Sequence, residues 1–90
     1  MLLTGHDHAY ERFAPLAPGL VPDPARGIRE FVVGTGGKSL QGARIATVGS
    51  EVRGAAFGVL RLTLHPGSYD WSFAPAAGWQ LADSGTSPCH

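Results

Sequence analysis

The chain has 90 residues, seven Lys+Arg against seven Asp+Glu, 43% apolar residues and a formal net charge of zero. This composition lacks the basic excess of a nucleic-acid binder and the low hydrophobicity of a disordered chain. No apolar run approaches the roughly 18 residues that span a bilayer. One small domain is the ceiling, and at this length folding buries only about 60–65% of the unfolded surface. Thirteen Gly and seven Pro argue against long helices and for strands joined by loops.

Met1–Thr4 reads as a short strand fragment that stops at Gly5. It carries no basic region or cleavage site, so it is not read as a signal peptide. Between Gly5 and Gly27 lie Pro15, Pro18, Pro22 and Pro24. No helical period survives them, and the stretch reads as a long loop of the kind that is functional or disordered. Ile28–Val33 reads as a strand whose continuous Phe-Val-Val end suits burial on both faces, closed by Gly34-Thr35-Gly36-Gly37. Lys38 to Ala56 is ambiguous, with Gly42, Gly49 and Gly54 opposing a helix.

The strongest pattern follows. Leu60, Leu62 and Leu64 alternate with Val59, Arg61 and Thr63, and Tyr69, Trp71 and Phe73 alternate with Asp70, Ser72 and Ala74. The intervening His65-Pro66-Gly67-Ser68 places Pro and Gly where a type II turn favours them. Phe57–Leu64 and Tyr69–Ala74 therefore predict an antiparallel hairpin. Trp71 and Trp79 read as core or edge packing, His65 as a solvated turn residue and His90 as terminal. The single cysteine, Cys89, allows neither an internal disulfide nor a cysteine-based zinc site.

Chemistry concentrates in Gly5-His6-Asp7-His8. Imidazole is the commonest protein ligand for zinc, copper and iron. A glycine before the pair would let the backbone turn sharply, so that both rings point out of the sheet end. The string Gly5-His6-Asp7-His8-Ala9-Tyr10-Glu11-Arg12 resembles the last metal motif, Gly-His-x-His, of the calcineurin-like metallophosphoesterases. Its Tyr-Glu-Arg tail is like that of the purple acid phosphatase branch and its bacterial relatives. Gly27–Gly37, Phe57–Leu62 and the hairpin ending in Trp71 look like downstream parts of the same phosphatases.

The resemblance implies an α/β parent fold, a two-sheet sandwich with its site at strand ends, of which this chain supplies mainly β-structure with long loops. It implies that residues 1–90 are the C-terminal portion of one catalytic domain. The family's other ligands lie in Asp-x-His, Gly-Asp and Gly-Asn-His segments and a further histidine segment, all upstream and absent here. His6 and His8 would each ligate a different ion of a two-metal centre (iron, zinc or manganese), which activates hydroxide against a phosphate ester. Asp7 falls at the motif's variable position and is given no ligand role, and Tyr10, Glu11 and Arg12 would brace the loop or line the pocket, the structural role being preferred for all three. The 90 residues alone would then be inactive, completed by the missing N-terminal portion, with no nucleic-acid or membrane partner. The polar tail Asp83–His90 resembles the chain end of secreted bacterial phosphatases, which implies an extracellular parent and an upstream disulfide partner, if any, for Cys89. The rival reading is a small non-catalytic β binding module in which the histidines are incidental. Two decoys are weaker. Gly37-Lys38-Ser39 imitates a phosphate loop, but Val32 stands where that motif needs glycine. Glu11 follows His8 too closely for a cupin metal site.

Overall fold

The computed structural model describes residues 1–41 and 47–89. Among these residues there are strands and no helix: β1 (Leu2–Thr4), β2 (Tyr10–Phe13), β3 (Leu16–Ala17), β4 (Val21–Pro22), β5 (Glu30–Val33), β6 (Ser50–Gly54), β7 (Gly58–Leu64), β8 (Ser68–Pro75) and β9 (Ser84–Pro88). The chain is thus mainly β, as expected. One sheet has the order β1-β5-β2-β6, another β7-β8-β9, and β3-β4 form a small ribbon.

The alternating hairpin folds as the pattern predicts, with Gly58 opposite Pro75 through to Leu64 opposite Tyr69. Tyr69, Trp71 and Phe73 are buried on its inner face. They meet the inner face of the four-stranded sheet, where Tyr10 lies 4.7 Å from Phe73 between ring centroids and Phe31 lies 5.4 Å from Trp71. Two aromatic-rich faces stacked this way form the core of a small two-layer sandwich. The turn is not type II, because Gly67 lacks the positive φ that such a turn requires. Instead Pro66-Gly67 is a two-residue link in which His65 N–H donates to the Ser68 carbonyl at 2.9 Å. The Gly67 carbonyl accepts from Cys89 N–H at 3.0 Å, so the chain end holds the turn's peptide in place.

Three expectations change. The proline-bearing stretch between Gly5 and Gly27 is not a structureless loop, because it contains β2, a central strand paired on both sides, and the β3-β4 ribbon. Within the ambiguous Lys38–Ala56 stretch, Ser50–Gly54 forms β6 against β2; Gly42 lies outside the described residues. The polar tail supplies β9, whose Gly85 faces Trp71, where a Cβ would come 2.5 Å from the indole ring. Phe31 is fully buried by this chain's own side chains.

Beside the aromatic core runs a polar lattice. Arg12 grips Asp83 with Nε at 2.8 Å and Nη2 at 3.0 Å, Tyr10 Oη donates to Asp83 at 2.6 Å, and Arg12 also pairs with Glu51. Arg29 Nη1 reaches Glu51 at 2.5 Å, and both guanidinium groups lie 5.1 Å from the Trp71 ring centroid. Burial and the hydrogen bond to Asp83 push the Tyr10 hydroxyl pKa up. Burial alone would raise the Asp83 pKa, but the hydrogen bonds from Arg12 and Tyr10 hold it below the ordinary carboxylate range. A forked, charge-assisted pair of this kind is the strong form of side-chain hydrogen bonding. Tyr10 and Arg12 therefore anchor β2 to Asp83, next to the start of β9.

Candidate metal-ligand loop

The order β1-β5-β2 means that β1 and β2, consecutive in sequence, are not neighbours in space. β1 pairs in parallel with β5, and β2 pairs antiparallel on the other side of β5. Residues 5–9 must therefore cross the C-terminal end of β5, a span of about 10 Å at two strand spacings. A loop laid across strand ends in this way is where side chains can meet a ligand without disturbing the sheet. His6 and His8 sit on that crossing.

The local geometry differs from the expectation in one respect. The sharp turn falls on His6, at φ 74°, and not on Gly5. A Cβ on Gly5 would meet nothing within 4 Å, and its φ is not positive. Left-handed backbone costs a non-glycine residue about 1–2 kcal/mol, so His6 holds a strained conformation at the loop's apex. Asp7 N–H donates to the Gly5 carbonyl and Ala9 N–H to the Asp7 carbonyl, both at 2.9 Å, which makes the crossing two successive tight turns.

Gly34 provides the seat. It follows β5 directly, and a Cβ there would fall 1.8 Å from the Asp7 carbonyl oxygen and 3.2 Å from His8 Cα. Its N–H donates to the Ala9 carbonyl at 3.1 Å. Thr35, 1% exposed, donates from Oγ1 to the Gly58 carbonyl at 2.8 Å, which ties the seat to β7 of the other sheet.

A third segment closes over the loop. His8 N–H donates to Gln41 Oε1 at 3.1 Å, Gln41 N–H donates back to the His8 carbonyl at 2.8 Å, and His8 Nδ1 lies 2.8 Å from the Ser39 carbonyl. A carbonyl oxygen only accepts, so Nδ1 carries the hydrogen. The lone pair of the uncharged ring is then on Nε2, the atom left for a metal. His6 is exposed and His8 half-buried.

The two imidazoles sit on one loop, with His8 Nε2 the ring atom not used by the Ser39 carbonyl. They do not amount to a complete cage, since among the described residues no group of three or more His, Cys, Asp or Glu side chains could hold a metal. The phosphate-loop imitation Gly37-Lys38-Ser39 is instead part of the segment that clamps His8, with no helix after it among the described residues. His65 pairs with Asp70 at 2.9 Å and lowers that carboxyl's pKa, in an exposed turn. Trp79 packs edge-on against Phe57 at 5.1 Å, Cys89 is exposed, and His90 lies outside the described residues.

Sequence reasoning did not single out Gln41, and it met Ser39 only in the phosphate-loop imitation; their contribution to His8 rests on a carbonyl, a peptide N–H and one amide oxygen. Comparison with known proteins returns no matching family model, no matching curated protein and no matching solved structure.

Proposed function

We propose that this chain is the C-terminal portion of a metal-dependent phosphoesterase, with His6 and His8 each supplying one ligand to a two-metal centre of iron, zinc or manganese. The observation that carries this reading is the His8 ring, hydrogen-bonded through Nδ1 to the Ser39 carbonyl on a loop across strand ends. A structural carbonyl partner on one ring nitrogen is the usual way a protein orients a metal-binding imidazole. When bound, two such ions supply Lewis-acid stabilisation of the phosphate ester and a nucleophile from water. The chain's own contribution is to fix two imidazoles on one loop and to keep that loop seated on Gly34.

The remaining ligands, carboxylates included, would come from the upstream portion of an α/β sandwich, and two features support a place for it. β1 and β7 are both sheet edges, and an open apolar groove of about 480 Å³ lies between them, lined by Leu3, Val33, Val59, Leu60 and Leu62. Leu3 and Val59 are 51% and 61% exposed. Parallel strand pairs such as β1-β5 are normally covered on both faces, so further strands and apolar cover would complete the sandwich here. An extracellular phosphate-ester hydrolase is the resulting parent, with no nucleic-acid or membrane partner. The binding-module reading draws on Tyr10 and Phe31, both fully buried within this chain.

Hydrolysis of a chromogenic phosphate monoester with added zinc or manganese separates the two. The 90-residue chain should show no turnover. A full-length protein carrying this segment should be active and should lose activity with His6→Ala plus His8→Ala. Near-wild-type activity of that double variant would remove the ligand assignment, and histidine-dependent turnover by the 90 residues alone would overturn the incomplete-site argument.

A further inference from the structure

The clamp on His8 is built from Gln41, which belongs to none of the sequence motifs, and Ser39, which the sequence offered only as part of a phosphate-loop imitation. Gln41 engages the His8 peptide from both sides, its side-chain oxygen accepting from His8 N–H at 3.1 Å and its own N–H donating to the His8 carbonyl at 2.8 Å. This reciprocal pair fixes the plane of the peptides on either side of the His8 Cα. The Ser39 carbonyl, two residues earlier, then meets Nδ1 at 2.8 Å. One short segment thus sets both the backbone and the ring of the same histidine. The seat at Gly34 fixes the loop from beneath.

We propose that Gln41 is a positioning residue of the metal-ligand loop, acting through His8: it holds the His8 backbone so that Nδ1 meets the Ser39 carbonyl and Nε2 is left as the ligating atom. This rests on the metal-ligand reading of His8, but the geometry it invokes exists without metal. The tautomer of a histidine is set by the hydrogen bond its other nitrogen makes. Removing the clamp should therefore release the Nδ1–H tautomer, and outer partners of metal-binding histidines are typically worth about 10–100-fold in metal affinity. Gln41 itself is half-buried and is not part of the aromatic core, so its loss should leave the fold standing.

The test reads the tautomer directly. Magic-angle-spinning NMR of the metal-free, ¹⁵N-histidine-labelled chain distinguishes Nδ1–H from Nε2–H whatever the size of the particle, with His8 assigned by its loss in His8→Ala. The wild-type chain should show His8 as Nδ1–H. Gln41→Ala should shift it towards Nε2–H, Gln41→Pro, which also removes the N–H, should shift it further, and Gln41→Glu, which keeps an acceptor oxygen, should restore it. Zinc titration should weaken by about tenfold in Gln41→Ala, with the melting curve unchanged. A His8 that is Nε2–H in the wild type, or that stays Nδ1–H in both Gln41→Ala and Gln41→Pro, overturns the proposal. Zinc that binds equally well to the His6→Ala plus His8→Ala variant would instead sink the metal-ligand reading, leaving the tautomer to decide the clamp.

Discussion

Gly34→Ala is the sharpest single perturbation of the loop. The added Cβ would lie 1.8 Å from the Asp7 carbonyl oxygen and 2.7 Å from its carbon. Both atoms are backbone, so no rotamer can relieve the contact. Bringing the nearest approach to 3.0 Å, the floor for real Cβ contacts, needs a shift of at least about 1.2 Å. The shift must break the Asp7–Ala9 turn bond or the Gly34–Ala9 bond that seats the loop. Forcing a methyl group into filled space costs about 1–3 kcal/mol, and each kcal/mol lowers the melting temperature of a domain this size by about 4–8 °C. A displacement of about 1 Å in a catalytic group costs on the order of 10²-fold in rate. The assay is thermal melting of the chain followed by circular dichroism, together with phosphatase activity of a full-length protein carrying the change. Gly36→Ala is the matched control, since a Cβ there meets nothing within 4 Å. If Gly34→Ala and Gly36→Ala melt together and retain equal activity, the seating argument is refuted.

Other outcomes follow from neighbouring features. His6→Gly removes the strain at φ 74° and should stabilise the fold by about 1 kcal/mol in denaturant titration while removing the imidazole proposed as a ligand; a destabilised variant would contradict the strain. Asp83 has a pKa lowered by Arg12 and Tyr10, so its stabilisation is present above its unfolded value of about 3.9 and is lost as pH falls through the lower folded value. Asp83→Asn should flatten the acid limb of stability against pH, whereas Asp83→Ala, which leaves Arg12 without its buried partner, should cost about 3–5 kcal/mol; an unchanged acid limb in Asp83→Asn would exclude Asp83 as the group responsible. The open groove between β1 and β7 should make the 90-residue chain associate, and Leu3→Lys with Val59→Lys should return it towards a monomer in sedimentation; a wild-type chain already monomeric at high concentration would count against the groove as an open edge.

What could be read in advance divides along physical lines. The β7-β8 hairpin was legible because every second side chain is apolar and the partners are close in sequence. β2 was not, because Tyr-Glu-Arg-Phe turns a charged residue inward: Arg12 stands over Trp71 and grips Asp83, 71 residues away, and no local pattern announces such a pairing. β9 carries almost no apolar side chain, since Gly85 makes room for an indole instead of adding bulk. The position of the histidines after a short strand was visible. The device that shapes their loop was not: a glycine 28 residues beyond His6 serves as its floor, and the clamp on His8 runs largely through peptide groups, which every residue carries, with one amide side chain 33 residues away.

The insertion of β5 between β1 and β2 also sets an order of events in folding. The hairpin closes a short contour and can form early, but β1 cannot pair until residues 30–32 arrive beside it, and β2 needs residues 31–33 on one side and the still more distant β6 on the other. Closing such distant pairs is the slow, entropically opposed part of assembly. The loop between β1 and β2 has nothing to lie across until the end of β5 is in place. The shape of the histidine loop is thus acquired in the slow phase, and a chain arrested with its hairpin formed and β5 unpaired would hold two histidines on a tether with no defined separation between them.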